Sequence, residues 1–338
     1  MPGIAIIGEA WGREEELARA PFVGSSGKLL SRLLRDAGIE RSSCWLTNVI
    51  NLHPKGDDFD KFCGPASTAL AGYPAHHGAQ YLHRRFSDEL GRLGRELSLH
   101  KPNICVLLGN TAMWAMLGKS GIAKWRGSID VSTHTYAGVK CLPTYHPAAV
   151  SREYTLRPTV LMDLQKAERQ SHFPEVRWPK REIWTEPTLE DLYEFERRFI
   201  RPDCVLACDI ETAGNQVTTI GFAPRPDIAL VIPIHDPRRK GRSYWDDADS
   251  ETRAWEFVRQ ILQNRSLRKV FQNGLYDIAF LYRSVGIKVK GAEHDTMLMH
   301  HSMQPESLKG LGYLGSIYTD ERAWKEDYKL GESLKREE

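Results

Sequence analysis

The sequence contains few cysteines, and they follow no regular pattern. None of the six forms a Cys-x-x-Cys pair, the spacing typical of zinc ribbons and redox motifs. We therefore expect reduced thiols and no disulfide framework. Cys63, together with His53, His76 and His77, matches no standard zinc spacing. The sequence thus predicts no zinc site.

Long apolar runs are also missing. Of the 338 residues, 41% are hydrophobic and 27% charged, yet no apolar run reaches the roughly 20 residues that a membrane-spanning helix needs. An apolar strand begins at Ile4, which leaves no room for the basic and apolar regions of a secretory signal. We therefore expect no membrane partner and a cytoplasmic location.

Strong charge of either sign and the common nucleotide-binding loop are absent as well. The formal net charge is only +2, which neither requires nor excludes a nucleic-acid partner. The sequence has no P-loop, the glycine-rich phosphate cradle of many nucleotide hydrolases. This absence argues against a small-nucleotide hydrolase.

The length and the hydrophobic pattern predict two α/β domains. A chain of 338 residues exceeds the usual size of one domain. In the first half, short apolar strands alternate with helical stretches, which is typical of a three-layer α/β/α domain around a mostly parallel sheet. Its strands are predicted at residues 4–7, 44–49 and 104–108, and its helices at 27–37 and 86–97. We expect domains at residues 1–170 and 188–338.

A linker is expected between the domains at residues 171–187. It lies in a stretch that begins at about residue 165, where prolines 174, 179 and 187 should prevent regular structure. The second domain should begin with a helix at residues 189–199. Its further elements are predicted as strands at 205–210, 217–222 and 229–234, then helices at 252–262 and 276–285.

Four motifs in the first domain follow predicted strands or open helices. Gly8-Glu9-Ala10-Trp11-Gly12 leaves the first strand at its carboxyl end, where α/β sheets bind ligands. Phe22 lies in a glycine-rich turn that we expect to expose its ring for stacking on a base. Asn48 ends the next strand with an amide that can pair with a base edge. His146-Pro147-Ala148 follows a later strand, and Arg152 comes shortly after.

Taken in order, these motifs resemble those of the uracil-DNA glycosylase superfamily over residues 3–168. The resemblance is to the bacterial and archaeal type, which begins with Gly-Glu-Ala/Gly-Pro-Gly and closes with His-Pro-Ala. It implies that Glu9, Asn48 and His146 are catalytic: Glu9 positions the attacking water, and His146 stabilises negative charge on the departing base.

The same resemblance implies a set of substrate contacts. A glycosylase must extrude the nucleotide and offset the unstacking cost by stacking and hydrogen bonds. Phe22 would stack on the flipped uracil, and Asn48 would pair with its polar edge. The substrate-binding residues implied are Ala10, Phe22, Asn48, His146 and Arg152.

The resemblance leaves two interpretations of the first domain open. No metal is needed for base release, and no iron–sulfur cluster is expected, because the early cysteine pair of the relatives is missing. Trp11 stands where the family has proline. These two departures favour a non-catalytic module that binds DNA or a partner, whereas Glu9, Phe22, Asn48 and His146 favour the enzyme.

The second domain carries a group of carboxylates. Asp209 and Glu211 lie two residues apart on a predicted strand and therefore on one face. Asp277 opens a later helix. Carboxylates in this arrangement are typical of a two-metal site for phosphodiester cleavage, with the ions about 4 Å apart.

These motifs resemble the 3′–5′ exonuclease domain of family A DNA polymerases, especially the phage branch, over residues 183–327. The resemblance implies a ribonuclease-H-like (DnaQ-like) α/β fold. It also implies that Asp209, Glu211 and Asp277 bind Mg²⁺ or Mn²⁺, with Asp295 in a supporting role. The family's last motif, Tyr-x-x-x-Asp, does not occur after Asp295.

The missing motif leads to three expectations. The chain is predicted to be the N-terminal part of a longer polymerase, or another chain completes its exonuclease site. Alone, it should have weak exonuclease activity. The expected partners are uracil-containing DNA, single-stranded 3′ ends and a polymerase domain in the same or another chain; for a phage gene the location is the host cytoplasm.

Overall fold

The chain forms two compact α/β units in a computed structural model that describes residues 3–236, 238–239 and 243–326. The first unit comprises the residues up to Trp178 and those from Gly312 onward, and the second comprises Pro179–Leu311. This arrangement of two α/β domains confirms the predicted fold class. Within the described ranges, no helix is long and apolar enough to cross a membrane.

The first unit is built on a five-stranded sheet with the order β2-β1-β5-β7-β6. Strands β2, β1, β5 and β7 are parallel, and β6 is antiparallel to β7. A small hairpin of β3 and β4 lies outside this sheet. The strands are β1 (Ile4–Ala10), β2 (Cys44–Ile50), β3 (Cys63–Gly64), β4 (Tyr81–Leu82), β5 (Ile104–Leu108), β6 (Asp130–Val131) and β7 (Lys140–Thr144).

Helices cover both faces of this sheet, as the three-layer prediction requires. Side chains alternate along β1, so that Ile4 and Ile6 pack with α2 and α7, while Ala5 and Ile7 pack with α3 and α4. The helices are α1 (Arg13–Ala18), α2 (Ser25–Asp36), α3 (Ser87–His100), α4 (Gly109–Leu117), α5 (Ile122–Trp125), α6 (Pro147–Arg152) and α7 (Arg157–Gln170). The carboxyl ends of the parallel strands therefore meet at one edge between the two helix layers.

The second unit is built on a six-stranded mixed sheet with the order β13-β12-β9-β10-β11-β8. Strand β10 is antiparallel to both of its neighbours, and β12 and β13 continue parallel to β9. This is the predicted ribonuclease-H-like arrangement. The strands are β8 (Glu182–Trp184), β9 (Val205–Ala213), β10 (Gln216–Arg225), β11 (Ile228–Pro233), β12 (Arg268–Phe271) and β13 (Ala292–Asp295).

One face of this sheet is covered by an apolar core, and the other carries the carboxylates. Leu206, Cys208 and Ile210 of β9 are buried, whereas Asp209 and Glu211 between them are exposed. The helices of this unit are α8 (Leu189–Phe199), α9 (Ala248–Gln263), α10 (Gly274–Val285) and α11 (Thr296–Met303), and the last helix, α12 (Leu311–Tyr318), belongs to the first unit apart from its first residue. Thr188 and Asp191 form a reciprocal capping box at the start of α8, which explains why this helix begins at the predicted residue.

The expectation that residues 165–187 lack regular structure is wrong in two places. Helix α7 continues to Gln170, and β8 pairs in parallel with β11. Pro179 and Pro187 flank β8 rather than interrupt it. A three-residue edge strand tolerates such neighbours because prolines outside it remove no hydrogen bond of the ladder. The domain bounds of the sequence analysis stay a prediction.

Buried charges hold the last helix, α12, in the first unit. Arg126 and Asp163 are each 1% exposed, and the Arg126 Nε donates to Asp163 Oδ2 at 2.9 Å. Arg126 also donates to the Ser316 hydroxyl at 2.8 Å, and its guanidinium lies 5.2 Å from the Tyr313 ring centre. These contacts join α12 to the first unit.

Candidate active site

The six predicted site residues of the first unit line one cleft of about 820 Å³. They come from the carboxyl-terminal ends of β1 and β2, from the turn before α2, and from the segment after β7 that continues into α6. Parallel strands bring these loops to one edge of the sheet. The cleft residues that the sequence predicted are Glu9, Ala10, Phe22, Asn48, His146 and Arg152.

Phe22 lies in a strained turn that two neighbours hold in place. Its φ is +55°, a left-handed conformation that costs a bulky residue of the order of 1–3 kcal/mol. Arg41 donates to the Phe22 carbonyl oxygen at 2.9 Å, and a Cβ on Gly27 would overlap that same oxygen. The ring is only 6% exposed, so the expectation of an exposed ring is wrong. The turn directs the ring inward, to the wall of the cleft.

Gly8 lets the Phe22 ring and the Asn48 amide approach the first strand. A Cβ on Gly8 would lie 2.6 Å from the Phe22 Cζ and would overlap the Asn48 Oδ1. The Asn48 backbone carbonyl accepts a hydrogen bond from Arg92 at 2.8 Å. Within the described part of the chain, the Asn48 side-chain amide has no hydrogen-bond partner, although the residue is 3% exposed. Asn48 lines the cleft, so its amide is available to hydrogen-bond a polar ligand there.

His146 is held as a neutral imidazole with one free nitrogen. Its Nδ1 accepts a hydrogen bond from the Ala148 backbone N–H at 3.2 Å, which caps α6. Burial and the nearby Arg152 cation lower the pKa of His146 to about 4. Because Nδ1 is an acceptor, the proton of the neutral ring resides on Nε2. His146 therefore offers an N–H donor to the cleft at neutral pH.

Glu9 is part of a hydrogen-bonded chain that the sequence did not predict. The Thr111 hydroxyl donates to Glu9 Oε2 at 2.5 Å, and His76 Nε2 lies 3.0 Å from the same hydroxyl oxygen. Burial raises the pKa of Glu9, and the Thr111 hydrogen bond partly opposes that rise. Thr111 follows β5 on α4, so its position after a parallel strand was the signal that could have identified it.

Trp11 lies on the wall of the same cleft. Its indole Nε1 is buried, and no hydrogen-bond partner for it is found among the described residues. A buried indole N–H usually has a partner. The Trp11 indole N–H is therefore an exception to this rule among the described residues.

In the second unit, the structure brings the three predicted metal ligands to one face. Asp209 and Glu211 project from β9, and Asp277 Oδ1 accepts a hydrogen bond from the Ile210 backbone N–H of that strand at 3.1 Å. Burial raises the pKa of Asp277, with smaller contributions from Asp295 and Glu211. The three residues do not form a single-ion cluster. Two ions about 4 Å apart require more widely spread ligands.

Asp295 orders the backbone next to this face. It accepts hydrogen bonds from the backbone amides of Gly274 at 2.7 Å and Asn273 at 3.2 Å, where α10 begins. It also caps α11 by accepting from Met297 at 2.8 Å. These hydrogen bonds fix the position of the Asp295 carboxylate, and its supporting role in metal binding stays a prediction.

The cysteines of the first unit do not fit an iron–sulfur cluster. Such a cluster requires thiolates from about four cysteines around one site. All six cysteines are free thiols, and Cys105 and Cys141 are buried neighbours within the sheet. The one group of three or more ligand residues found in the described ranges contains a single cysteine, Cys63.

Comparisons with known proteins assign a family to each half of the chain. Residues 1–170 match the family model described as the uracil DNA glycosylase superfamily. Residues 181–330 match the family model described as 3′-5′ exonuclease. A type-4 uracil-DNA glycosylase of Thermotoga maritima is 31% identical over 170 residues, which are 49% of this chain and 76% of that relative.

One further relative extends over most of the chain, and one solved structure matches a smaller part of it. A DNA polymerase of Bacillus phage SP01 is 21% identical over 312 residues, covering 82% of this chain and 30% of the polymerase. The structure of Brucella melitensis NrnC with bound Mg²⁺ is 18% identical, covering 41% of this chain and 61% of that chain, with a TM-score of 0.27. This TM-score is too low to indicate a shared overall structure.

Proposed function

The chain belongs to the uracil DNA glycosylase superfamily through residues 1–170 and carries a 3′–5′ exonuclease domain in residues 181–330, and from this membership we propose that its first unit excises uracil from DNA. The reaction is hydrolysis of the N-glycosidic bond of a flipped nucleotide. The observation that carries the proposal is the convergence of Glu9, Phe22, Asn48 and His146 in one cleft, with the Asn48 amide unpaired.

Each of these groups has a role that its environment supports. The flipped uracil stacks on Phe22, and the Asn48 amide pairs with its polar edge. Neutral His146 donates from Nε2 to the oxygen on which negative charge develops as the glycosidic bond breaks. Ionised Glu9 orients the attacking water and accepts its proton. Ala10 lines the base pocket, and Arg152 contacts the DNA beside it.

The proposal is tested with single- and double-stranded uracil-containing oligonucleotides in EDTA, which silences the nuclease. We expect abasic sites that alkali cleaves, and none with Asn48→Ala. Asn215→Ala, at an exposed position of the second unit, serves as the matched control and should retain full activity. Product formation that Asn48→Ala leaves unchanged contradicts the proposed site.

Trp11 supports a second candidate function, a DNA-holding module without catalysis. Its ring occupies the wall of the cleft, beside the position that a substrate sugar would take. If wild-type protein forms no abasic sites but binds uracil-containing DNA in a manner that requires Phe22 and Asn48, this alternative replaces the first.

The Thr111 hydroxyl should set the acidic limb of the pH–rate profile. Activity that needs ionised Glu9 is lost as the pH falls through the pKa of Glu9, which burial raises and the Thr111 hydrogen bond lowers. Thr111→Val removes that hydrogen bond, so the limb should move to higher pH. The measurement is kcat/KM against pH, with Thr111→Ser, which keeps the hydroxyl, as control. An unmoved limb in the valine variant contradicts the assignment of Glu9 as base.

For the second unit, we propose a two-metal proofreading module that serves a DNA polymerase of the phage type. Asp209, Glu211 and Asp277 would hold Mg²⁺ or Mn²⁺ through carboxylate oxygens, the ligands that these ions prefer. A bound pair of such ions would supply Lewis-acid activation of water and charge stabilisation during phosphodiester cleavage. The side chains of this chain position the ions on the face of β9.

Exonuclease activity of this chain alone should be weak, because no Tyr-x-x-x-Asp motif follows Asp295 to supply a fourth carboxylate. We expect slow, Mg²⁺-dependent shortening of a labelled single strand, which Asp209→Asn abolishes. Asp203→Asn, at an exposed position just before β9, should leave the activity unchanged. Rapid digestion by the wild-type chain is the result that contradicts this prediction.

A further inference from the structure

Three potential metal ligands converge in the first unit, outside the cleft residues discussed above. One oxygen of Asp60, the sulfur of Cys63 and one ring nitrogen of His76 all lie within 4.8 Å of one another. His76 Nδ1 lies 3.9 Å from Asp60 Oδ1. Tetrahedral bonds of about 2.0–2.3 Å place ligand atoms about 3.3–3.8 Å apart. Small side-chain movements therefore suffice to enclose one ion.

Hydrogen bonding identifies the nitrogen of His76 that faces this group. The Thr111 hydroxyl donates its only proton to Glu9, so it can only accept from the His76 Nε2, 3.0 Å away. In the neutral ring the proton therefore lies on Nε2, and Nδ1 carries a lone pair. This Nδ1 is buried, and no hydrogen-bond partner for it is found within the described ranges. A cation between the His76 Nδ1 lone pair and the Asp60 carboxylate would be stabilised by both groups.

Cys63 is partly buried and lies near carboxylates. Burial, and next Asp60 and Asp58, raise the pKa of Cys63 to about 11. Lys61 pairs with Asp58 at 3.4 Å, so its ammonium is directed to a residue outside the group. A bound divalent cation would favour the thiolate form of Cys63, because a thiol that coordinates a metal ion loses its proton. One proton is released for each ion bound.

Packing holds two of the three ligands in position. The His76 ring lies against Phe59, with ring centres 4.7 Å apart, and meets Trp114 edge-on at 5.5 Å. Cys63 begins β3, where it pairs with Leu82 of β4. A binding site with locked side chains loses less conformational entropy when the ligand arrives.

We propose that Asp60, Cys63 and His76 bind one zinc-type divalent cation, with water in the fourth position. A mixed set of thiolate, imidazole and carboxylate suits Zn²⁺ and not Mg²⁺. The ion would tie the segment around β3 and β4 to α4, since His76 also bonds Thr111. The sequence analysis rejected zinc because it weighed Cys63 only with histidines and overlooked Asp60.

The test uses the full chain with Co²⁺ and Zn²⁺ in excess Mg²⁺, which keeps the carboxylates of the second unit occupied. Co²⁺ should bind with one equivalent per chain and produce the near-ultraviolet charge-transfer band of a thiolate ligand. The band should disappear in Cys63→Ser. Cys44→Ser, another partly buried cysteine of the same unit, is the matched control and should retain it.

A second variant avoids the risk that Cys63→Ser perturbs folding. The Asp60 side chain is 52% exposed, so Asp60→Asn leaves the core intact. Loss of an outer-sphere partner alone costs about 10–100-fold in metal affinity, so loss of this ligand should weaken Zn²⁺ binding by at least about 100-fold. Asp58→Asn should weaken it far less. Absence of the band in wild-type protein, or wild-type Zn²⁺ affinity in Asp60→Asn, overturns the proposal.

Discussion

Glu9→Gln is expected to slow uracil release by about 10²–10⁴-fold, the usual contribution of a positioned general base. Glutamine keeps the shape of the side chain and can still bond Thr111, but it cannot accept a proton from water. The loss should be large because no other carboxylate among the predicted catalytic residues can take the place of Glu9 in the cleft. Substrate binding should change little, since Glu9 acts on the water and not on the base.

The measurement is single-turnover release of uracil from a single-stranded oligonucleotide in EDTA, together with the dissociation constant for the same DNA. Glu16→Gln, at an exposed position on α1, is the matched control and should react at the wild-type rate. A Glu9→Gln rate within threefold of wild type removes Glu9 from the mechanism.

Asp163→Ala is expected to destabilise the first unit by about 3–5 kcal/mol, the typical cost of breaking a buried ion pair from one side. The substitution leaves the Arg126 guanidinium without its counterion at a site that is 1% exposed. It also removes the acceptor of the Thr144 hydroxyl, which donates to Asp163 at 2.7 Å. Because Arg126 also bonds Ser316, the docking of α12 should loosen as well.

Urea unfolding followed by hydrogen exchange in peptides of β5 and β7 reports on this unit alone. Asp36→Ala breaks an Asp–Arg pair of 2.6 Å with Arg157, whose side chains are about one-third exposed. Asp36→Ala should lower the free energy of unfolding by less than about 1 kcal/mol, as for other surface ion pairs. Equal destabilisation by the two substitutions would show that burial does not determine how much the loss of the Arg126–Asp163 pair destabilises the unit.

Local patterns in the sequence were enough to predict most elements and the fold class. Strand β5 and helix α8 lie at the predicted residues, 104–108 and 189–199. Such elements are predictable because apolar periodicity and capping residues act within a few positions of one another. Strand β8 was missed because an edge strand of three residues depends on pairing with β11, a segment distant in the sequence.

Parallel strand order also made the glycosylase-like cleft largely predictable. Residues at the carboxyl ends of parallel strands reach the same edge of the sheet, so Glu9, Asn48 and His146 could be expected to lie near one another without coordinates, and the family resemblance supplied their roles. The inward direction of the Phe22 ring was not, because it depends on Arg41 and on the close approach of Gly27. Those contacts join residues on both sides of the turn, and no short sequence pattern predicts them.

The sequence by itself determined most of the longer elements, the two-domain fold class and the motifs that point to base excision and to metal-dependent cleavage. Only the tertiary structure decided that Thr111 joins Glu9 to His76, that Asp60, Cys63 and His76 converge, and that α12 packs in the first unit. The physical reason is the large separation in sequence between the residues that make these contacts. The hydrogen bond between Glu9 and Thr111 spans 102 positions and that between Arg126 and Ser316 spans 190. Partners at such distances are selected by the packing of whole elements, which no local pattern encodes.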